Sequence, residues 1–374
     1  MTGVRELPGV RLGSAAAFPL FLALGAATAG LGAALPAVTE RFARTGDSGG
    51  LLVSVYNAGA LLAIVGCGVR KRSVAPRREL AVVIGLFAAG CAGAGFAPSW
   101  PVLLISITVA GCGYGGAVLH VNTAFARGSR HRAVLMLNLV NATFGIGAVA
   151  GPFVVGLIPG PDVPAVFLGV GALALLSFPA YRCADGPAGE PGAREGKPAF
   201  AVLAPFLALA FCYAGLETGI GAWAATHLTW TGLTPAAAAQ WVSLYWLGIT
   251  AGRFVVPLFA RGPRRIVGWC LLAATAATAV AAVPAAAPYA YAVAGFALAA
   301  VFPTVIAWLA TLVTTVRQAN AMLLVAEMAG SVTHPLAIGW LAGASRPATV
   351  PLAIACLGVL ALAASRWAPR PVPA

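Results

Sequence analysis

The sequence predicts an all-α integral membrane protein, with twelve transmembrane helices arranged as two six-helix halves. Three observations carry this. Of 374 residues, 60% are hydrophobic and only 9% are charged, whereas soluble domains carry about 25% charged residues. The mean hydropathy is +0.91, and soluble cores stop growing at roughly 250–300 residues, so a water-soluble chain of this length needs far more polar surface. Apolar runs of about 20 residues, enough to cross a bilayer, recur along the chain. A soluble enzyme and a nucleic-acid-binding protein are excluded. The 45 Gly and 27 Pro fall within apolar runs, where membrane helices tolerate them.

The spans run 15–38, 49–69, 80–97, 101–126, 133–158, 163–181, 200–228, 236–260, 265–283, 287–315, 318–342 and 346–366. The first is too long for a signal peptide and lacks an A-x-A site, so it is read as retained. Arg70, Lys71, Arg72, Arg77 and Arg78 separate the second span from the third. The fourth and fifth are parted by Arg127, Arg130, His131 and Arg132, the eighth and ninth by Arg261, Arg264 and Arg265. These basic loops alternate with nearly uncharged ones at 98–100, 159–164, 229–235 and 284–287. Arg41, Arg44 and Arg346 alone fall on the opposite side, in company with Glu40 and Asp47. Positive loops stay inside, so both termini are expected in the cytoplasm. The net charge of +13 thus follows from topology and needs no nucleic acid. Arg far outnumbers Lys and Ala is abundant, which points to a GC-rich bacterial genome and the cytoplasmic membrane.

Residues 182–199 form the longest polar stretch, with Arg182, Asp185, Glu190, Arg194, Glu195 and Lys197 among Gly and Pro. Its composition is that of a flexible tether. The expected organisation is an N-terminal bundle 1–181, a cytoplasmic linker 182–199 and a C-terminal bundle 200–374. Two such halves around a midplane site are the layout of a secondary transporter. The seven Cys contain no CxxC pair and read as small packing residues. No GxxxxGK[ST], HExxH or GxSxG motif occurs, so neither ATP-driven pumping nor enzyme chemistry is expected. No cofactor and no metal is expected.

Particular segments resemble the major facilitator superfamily, and within it the fucose permease-like sugar:proton symporter branch. The glycine-rich fourth span, 113–122 (GYGGAVLHVN), ends in Asn122. The fifth carries 138–152 (NLVNATFGIGAVAGP), the seventh 215–223 (GLETGIGAW), the eighth 245–254 (YWLGITAGRF) and the eleventh 329–335 (AGSVTHP). The resemblance implies a major facilitator fold, rocker-switch alternating access and a substrate-facing Asn122. There are departures. The superfamily's loop after the second span carries an Asp before its basic residues; here 66–72 (GCGVRKR) keeps only the basic part, and 261–265 (RGPRR) lacks the acid too. The branch's fourth-span carboxylate corresponds to Val118, and the first span has no acid. Residues 147–152 (GAVAGP), with Gly151 and Pro152, partly match an exporter-type antiporter motif and are assigned a gating or structural role.

An ionisable side chain at bilayer depth is costly and is a functional candidate by default. Glu217 lies deep in the seventh span, and Tyr213, Glu217, Ala224 and His227 share a face within about 80° at 100° per residue. A carboxyl buried there is expected to hold its proton at neutral pH. Glu327 lies in the eleventh span, with Ser331 and His334 four and seven residues on, able to share a proton through Ser or water. Glu217, Glu327 and His334 are therefore the proton-coupling candidates. An equal alternative has Glu217 bracing helices and His334 bonding a carbonyl freed by Pro335. Asn122 and His120 stand 200° apart at 100° per residue, so one of them faces the cavity squarely. Asn141 is expected to line it, or to stitch helices. Tyr213, Trp223 and Tyr245 are offered as polar or stacking contacts to a substrate ring, or as core packing. Arg253, behind the small pair Gly248 and Gly252, is expected to snorkel or cap neighbouring helix ends.

The expected function is a monomeric, proton-coupled secondary active transporter in the bacterial cytoplasmic membrane. Its partners are the lipid bilayer, protons and a small-molecule substrate that is neutral or weakly polar, sugar-like or a natural product. The alternatives are a drug or metabolite exporter working as a proton antiporter, and a non-transporting sensor or assembly subunit with the same fold.

Overall fold

The computed structural model describes residues 8–45, 48–69, 75–127, 133–158, 160–162, 164–184, 200–259, 262–342 and 347–370. Most of the basic loops, Asp47, His131, Arg261, Arg346 and linker residues 185–199 lie outside the described residues. The helices are α1 (Pro8–Arg41), α2 (Gly49–Val69), α3 (Pro76–Gly95), α4 (Trp100–Arg127), α5 (Ala133–Leu157), α6 (Pro164–Leu176), α7 (Phe200–Trp230), α8 (Pro235–Val255), α9 (Pro263–Val280), α10 (Ala287–Leu298), α11 (Val301–Ala310), α12 (Val316–Ala342) and α13 (Thr349–Trp367). Helix occupies most of the described residues in each of the twelve expected spans. Among the described residues, nine helical spans are long and apolar enough to cross a membrane, with α10 and α11 counting together as Ala287–Ala310, or ten if α6 and the short helix Phe178–Ala184, bent by 47°, are one span. Two helices, α8 and α9, fall below that hydropathy. Gln240, Arg253, Arg264 and Arg265 dilute their apolar runs.

Proline explains most helix boundaries and breaks. Pro76, Pro235 and Pro263 open α3, α8 and α9, where the missing N–H costs nothing. Thr234 caps α8 by accepting from the Ala237 N–H at 3.2 Å. The expected tenth span divides into α10 and α11 around Ala299 and Ala300. Pro303 follows at once, and it cannot donate to the preceding turn.

The chain forms two compact units. The first comprises Met1–Thr28, Val55–Gly151 and Pro161–Pro191; the second comprises Ala29–Ser54, Pro152–Gly160 and Gly192–Ala374. The cuts pass through α1, α2 and α5. Within the first unit, small residues allow backbone-to-backbone approach: Gly25 and Gly147 at the α1–α5 crossing, Gly59 and Gly111 between α2 and α4, and Gly90 and Gly113 between α3 and α4. This is how helices associate where burial from lipid supplies little drive. Within the second unit α7 lies against α12, α13 and α8. Gly248 and Gly252 set α8 close to Ala292 and Phe296 of α10. Gly32 of α1 backs onto Gly221 of α7, and Gly50 of α2 onto Pro335 of α12.

Candidate functional site

The acids found within the described membrane helices away from their ends, Glu217 and Glu327, belong to one polar cluster in the second unit. Tyr213, one turn before Glu217 on α7, donates its hydroxyl hydrogen to Glu217 Oε2. Tyr245 of α8 donates to the Glu217 backbone carbonyl at 2.9 Å, fixing the stretch of α7 that carries the carboxylate. Ser331 of α12 donates to Glu327 Oε1 at 3.3 Å and stands 2.9 Å from the Thr218 hydroxyl of α7. With the Ser331 hydrogen committed to Glu327, Thr218 is the donor to Ser331. When Glu327 carries a proton, both bonds can reverse, so the two hydroxyls form a short path between α12 and α7. Tyr213 is backed by Phe302 of α11, stacked at 5.8 Å and 12°.

The other expected residues of this unit take different places. His334 is outside the hydroxyl chain. It is 7% exposed, its ring lies 4.5 Å from Phe211, and it faces the Gly330 backbone one turn back on its own helix. Gly215 leaves room for it, since a Cβ there would sit 3.0 Å from the ring. Trp223 is fully buried and donates Nε1 to the Pro335 carbonyl at 3.0 Å, an interhelical bond. Tyr245 is likewise fully buried. His227, on the Tyr213–Glu217 face by helical spacing, is enclosed at 0% exposure and meets the Tyr291 hydroxyl of α10 at 2.9 Å. Arg253 is exposed.

In the first unit, α4 and α5 bring Asn122 and Asn141 together. Asn141 Nδ2 donates to Asn122 Oδ1 at 3.2 Å and to the Leu137 carbonyl at 2.8 Å, while its side chain stays exposed. His120 turns the other way. Its Nε2 is 3.6 Å from Glu79 Oε2 and 3.7 Å from Cys67 Sγ, so it joins α4 to α3 and α2. Tyr114 was missed by sequence reasoning. It lies two turns before Asn122, with Val118 between, and stacks on Tyr56 at 5.3 Å. The i, i+4, i+8 spacing was the available signal. Gly151 sits against Ala26 of α1, and Pro152 follows it inside α5.

Trp223→Phe separates a structural from a substrate-binding role. It removes an indole donor from the buried Pro335 carbonyl, which keeps its bond within α12, and is expected to cost about 0.5–1.5 kcal/mol. Thermal unfolding in detergent should register the loss while solute affinity stays unchanged; a weakened affinity at unchanged stability assigns Trp223 to the substrate instead.

A family model described as Major Facilitator Superfamily matches residues 17–292, and the chain belongs to that superfamily. It is a multi-pass membrane protein with the transporter fold. Its structure is similar to the nucleoside transporter NupG (TM-score 0.73, 15% identity, covering 96% of this chain and 99% of that one). It is similar to a D-xylose-proton symporter (TM-score 0.77, 14% identity, 96% and 98%). It is also similar to the transporter FucP in its outward conformation (TM-score 0.64, 16% identity, 97% and 100%). Identities this low establish the shared fold. Comparison with curated protein sequences found no match.

Proposed function

We propose that the protein is a proton-coupled secondary transporter of a small neutral or weakly polar solute of the sugar or nucleoside kind, working by alternating access between two six-helix halves. The observation that carries this is the Glu217–Glu327 cluster: two carboxyls at membrane depth, joined to tyrosine, serine and threonine hydroxyls, with no acid elsewhere in the interior of the described membrane helices. Proton uptake and release are the chemistry such a pair supports, because a carboxyl in an apolar bundle is stable when neutral and costly when charged. The Asn122–Asn141 pair supplies amide donors and acceptors suited to hydroxyl-bearing solutes. The named substrates of the fold's neighbours, nucleoside and D-xylose, favour the same class. We place it in a bacterial cytoplasmic membrane with both termini inside, on the strength of its basic loops.

The test is transport in proteoliposomes with an inward-directed proton gradient and radiolabelled L-fucose, D-xylose or uridine. The expected outcome is uphill accumulation of one of them, collapsed by a protonophore, with alkalinisation of the medium when solute is added. Accumulation that survives the protonophore removes proton coupling. Saturable binding with no translocation favours the sensor or assembly reading.

A further inference from the structure

We propose that the junction of α9 and α13 is a binding site for the head group of an anionic phospholipid. Arg264 and Arg265 open α9, while Arg366 lies in the last turn of α13 and Arg370 just beyond it. One hydrogen bond fastens the two ends together: Arg264 Nη2 donates to the Arg366 carbonyl at 2.8 Å. That carbonyl is among those left free at a helix C-terminus, so Arg264 acts as a cap for α13. The fold thus joins two helix ends that carry four arginines between them, and neither α9 nor α13 contains an acidic residue. Among the described residues, the side chains of Arg265, Arg366 and Arg370 have no hydrogen-bond, ion-pair or ring partner, and all three are exposed. The start of α9 adds to the positive field. Gly262, its N-cap at φ 76°, provides no side-chain cap for the first-turn N–H groups.

Aromatic residues mark the depth. Trp269 and Trp367 are each 71% exposed. Trp269 lies one turn past Arg265, hence on the same face of α9. Exposed indoles belong at the membrane–water boundary, which sets the arginines at the level of the lipid phosphates. Guanidinium forks match phosphate oxygens in pairs.

The matching junction of the N-terminal half shows that this arrangement is not a fixed property of the repeat. There α3 begins with Arg77 and Arg78, and Arg182 lies past α6. Arg77 and Arg182 both donate to the Tyr181 hydroxyl, at 3.3 and 3.2 Å, and both lie over its ring. Those arginines have a protein acceptor. The α9–α13 cluster has one backbone carbonyl, and the remaining positive charge faces outward.

The experiment uses the full-length protein in neutral detergent, titrated with cardiolipin, phosphatidylglycerol or phosphatidylcholine, with bound lipid counted by native mass spectrometry. The variant is Arg265→Gln with Arg370→Gln. It spares the Arg264 cap, and the fold should survive because neither side chain has a described partner; unchanged thermal unfolding checks this. The wild type is expected to prefer the two anionic lipids over phosphatidylcholine, and the double variant to lose about tenfold or more of that preference. An Arg78→Gln control should keep it. Equal retention by the double variant overturns the site, as does equal binding of phosphatidylcholine. Full competition by millimolar inorganic phosphate would reassign it to a soluble anion.

Discussion

Glu327→Gln is expected to abolish proton-driven accumulation while leaving the protein folded and able to exchange solute. The amide keeps an oxygen for the Ser331 hydroxyl, so the Ser331–Thr218 link between α12 and α7 survives. What it loses is the exchangeable proton. A gradient of one pH unit, about 1.4 kcal/mol, supports roughly tenfold accumulation; in the variant the ratio should fall to about one. Exchange between equal internal and external pools needs no net proton movement and should remain within a few-fold of wild type. Both are read from the same proteoliposomes with labelled solute. If accumulation persists at the wild-type level, Glu327 is a structural brace and coupling passes to Glu217 or elsewhere. If exchange and accumulation vanish together with a lowered unfolding temperature, the carboxyl is needed for packing.

Gly151→Val should be the most damaging of the glycine substitutions considered. A Cβ built on Gly151 lies 2.9 Å from both the carbonyl carbon and the Cα of Ala26, and one on Gly147 lies 2.9 Å from the Leu22 carbonyl carbon. These obstacles are backbone, so no side chain can swing aside and the α1–α5 crossing must widen. Overpacking of this kind costs about 1–3 kcal/mol and sometimes more, and the widened crossing also forfeits dispersion contacts along its length. Gly85 in α3 is the control, because nothing lies within 4 Å of its Cβ position. Gly85→Ala should be neutral or stabilise by up to about 1 kcal/mol through helix propensity. Folded yield by size exclusion and thermal unfolding in detergent decide the matter. A Gly151→Val protein as stable as Gly85→Ala would falsify the packing role. If Gly151→Ala folds normally yet does not transport, the residue belongs to the gating motif instead.

Membrane class and the placing of the spans were legible from composition, because partition into lipid sums over residues and tolerates rearrangement within a run. The candidate acids were legible for a related reason: few carboxyls exist, and each one inside an apolar run stands out. Neighbours within a helix were legible as well. Tyr213 with Glu217, and Glu327 with Ser331, are each four apart, and helical geometry alone brings them together. The two-residue interruption of helix at Ala299 and Ala300, inside the tenth span, was not read, although Pro303 follows it closely.

What only the tertiary structure decided is which helix face meets which. Thr218 and Ser331 are 113 residues apart, and Arg264 and Arg366 are 102 apart; no periodicity links them. The two candidates of α4 were separated in the same way. Asn122 found Asn141 of α5, while His120 turned to Glu79 and Cys67. His334 shares a helix with Glu327, yet it faces Phe211 and not the hydroxyl chain. A sequence fixes the angular position of each side chain about its own axis. The rotation and depth of one helix against another come from close backbone contacts at residues such as Gly25, Gly147, Gly248 and Gly295, which are summed over many weak interactions and have no local signature.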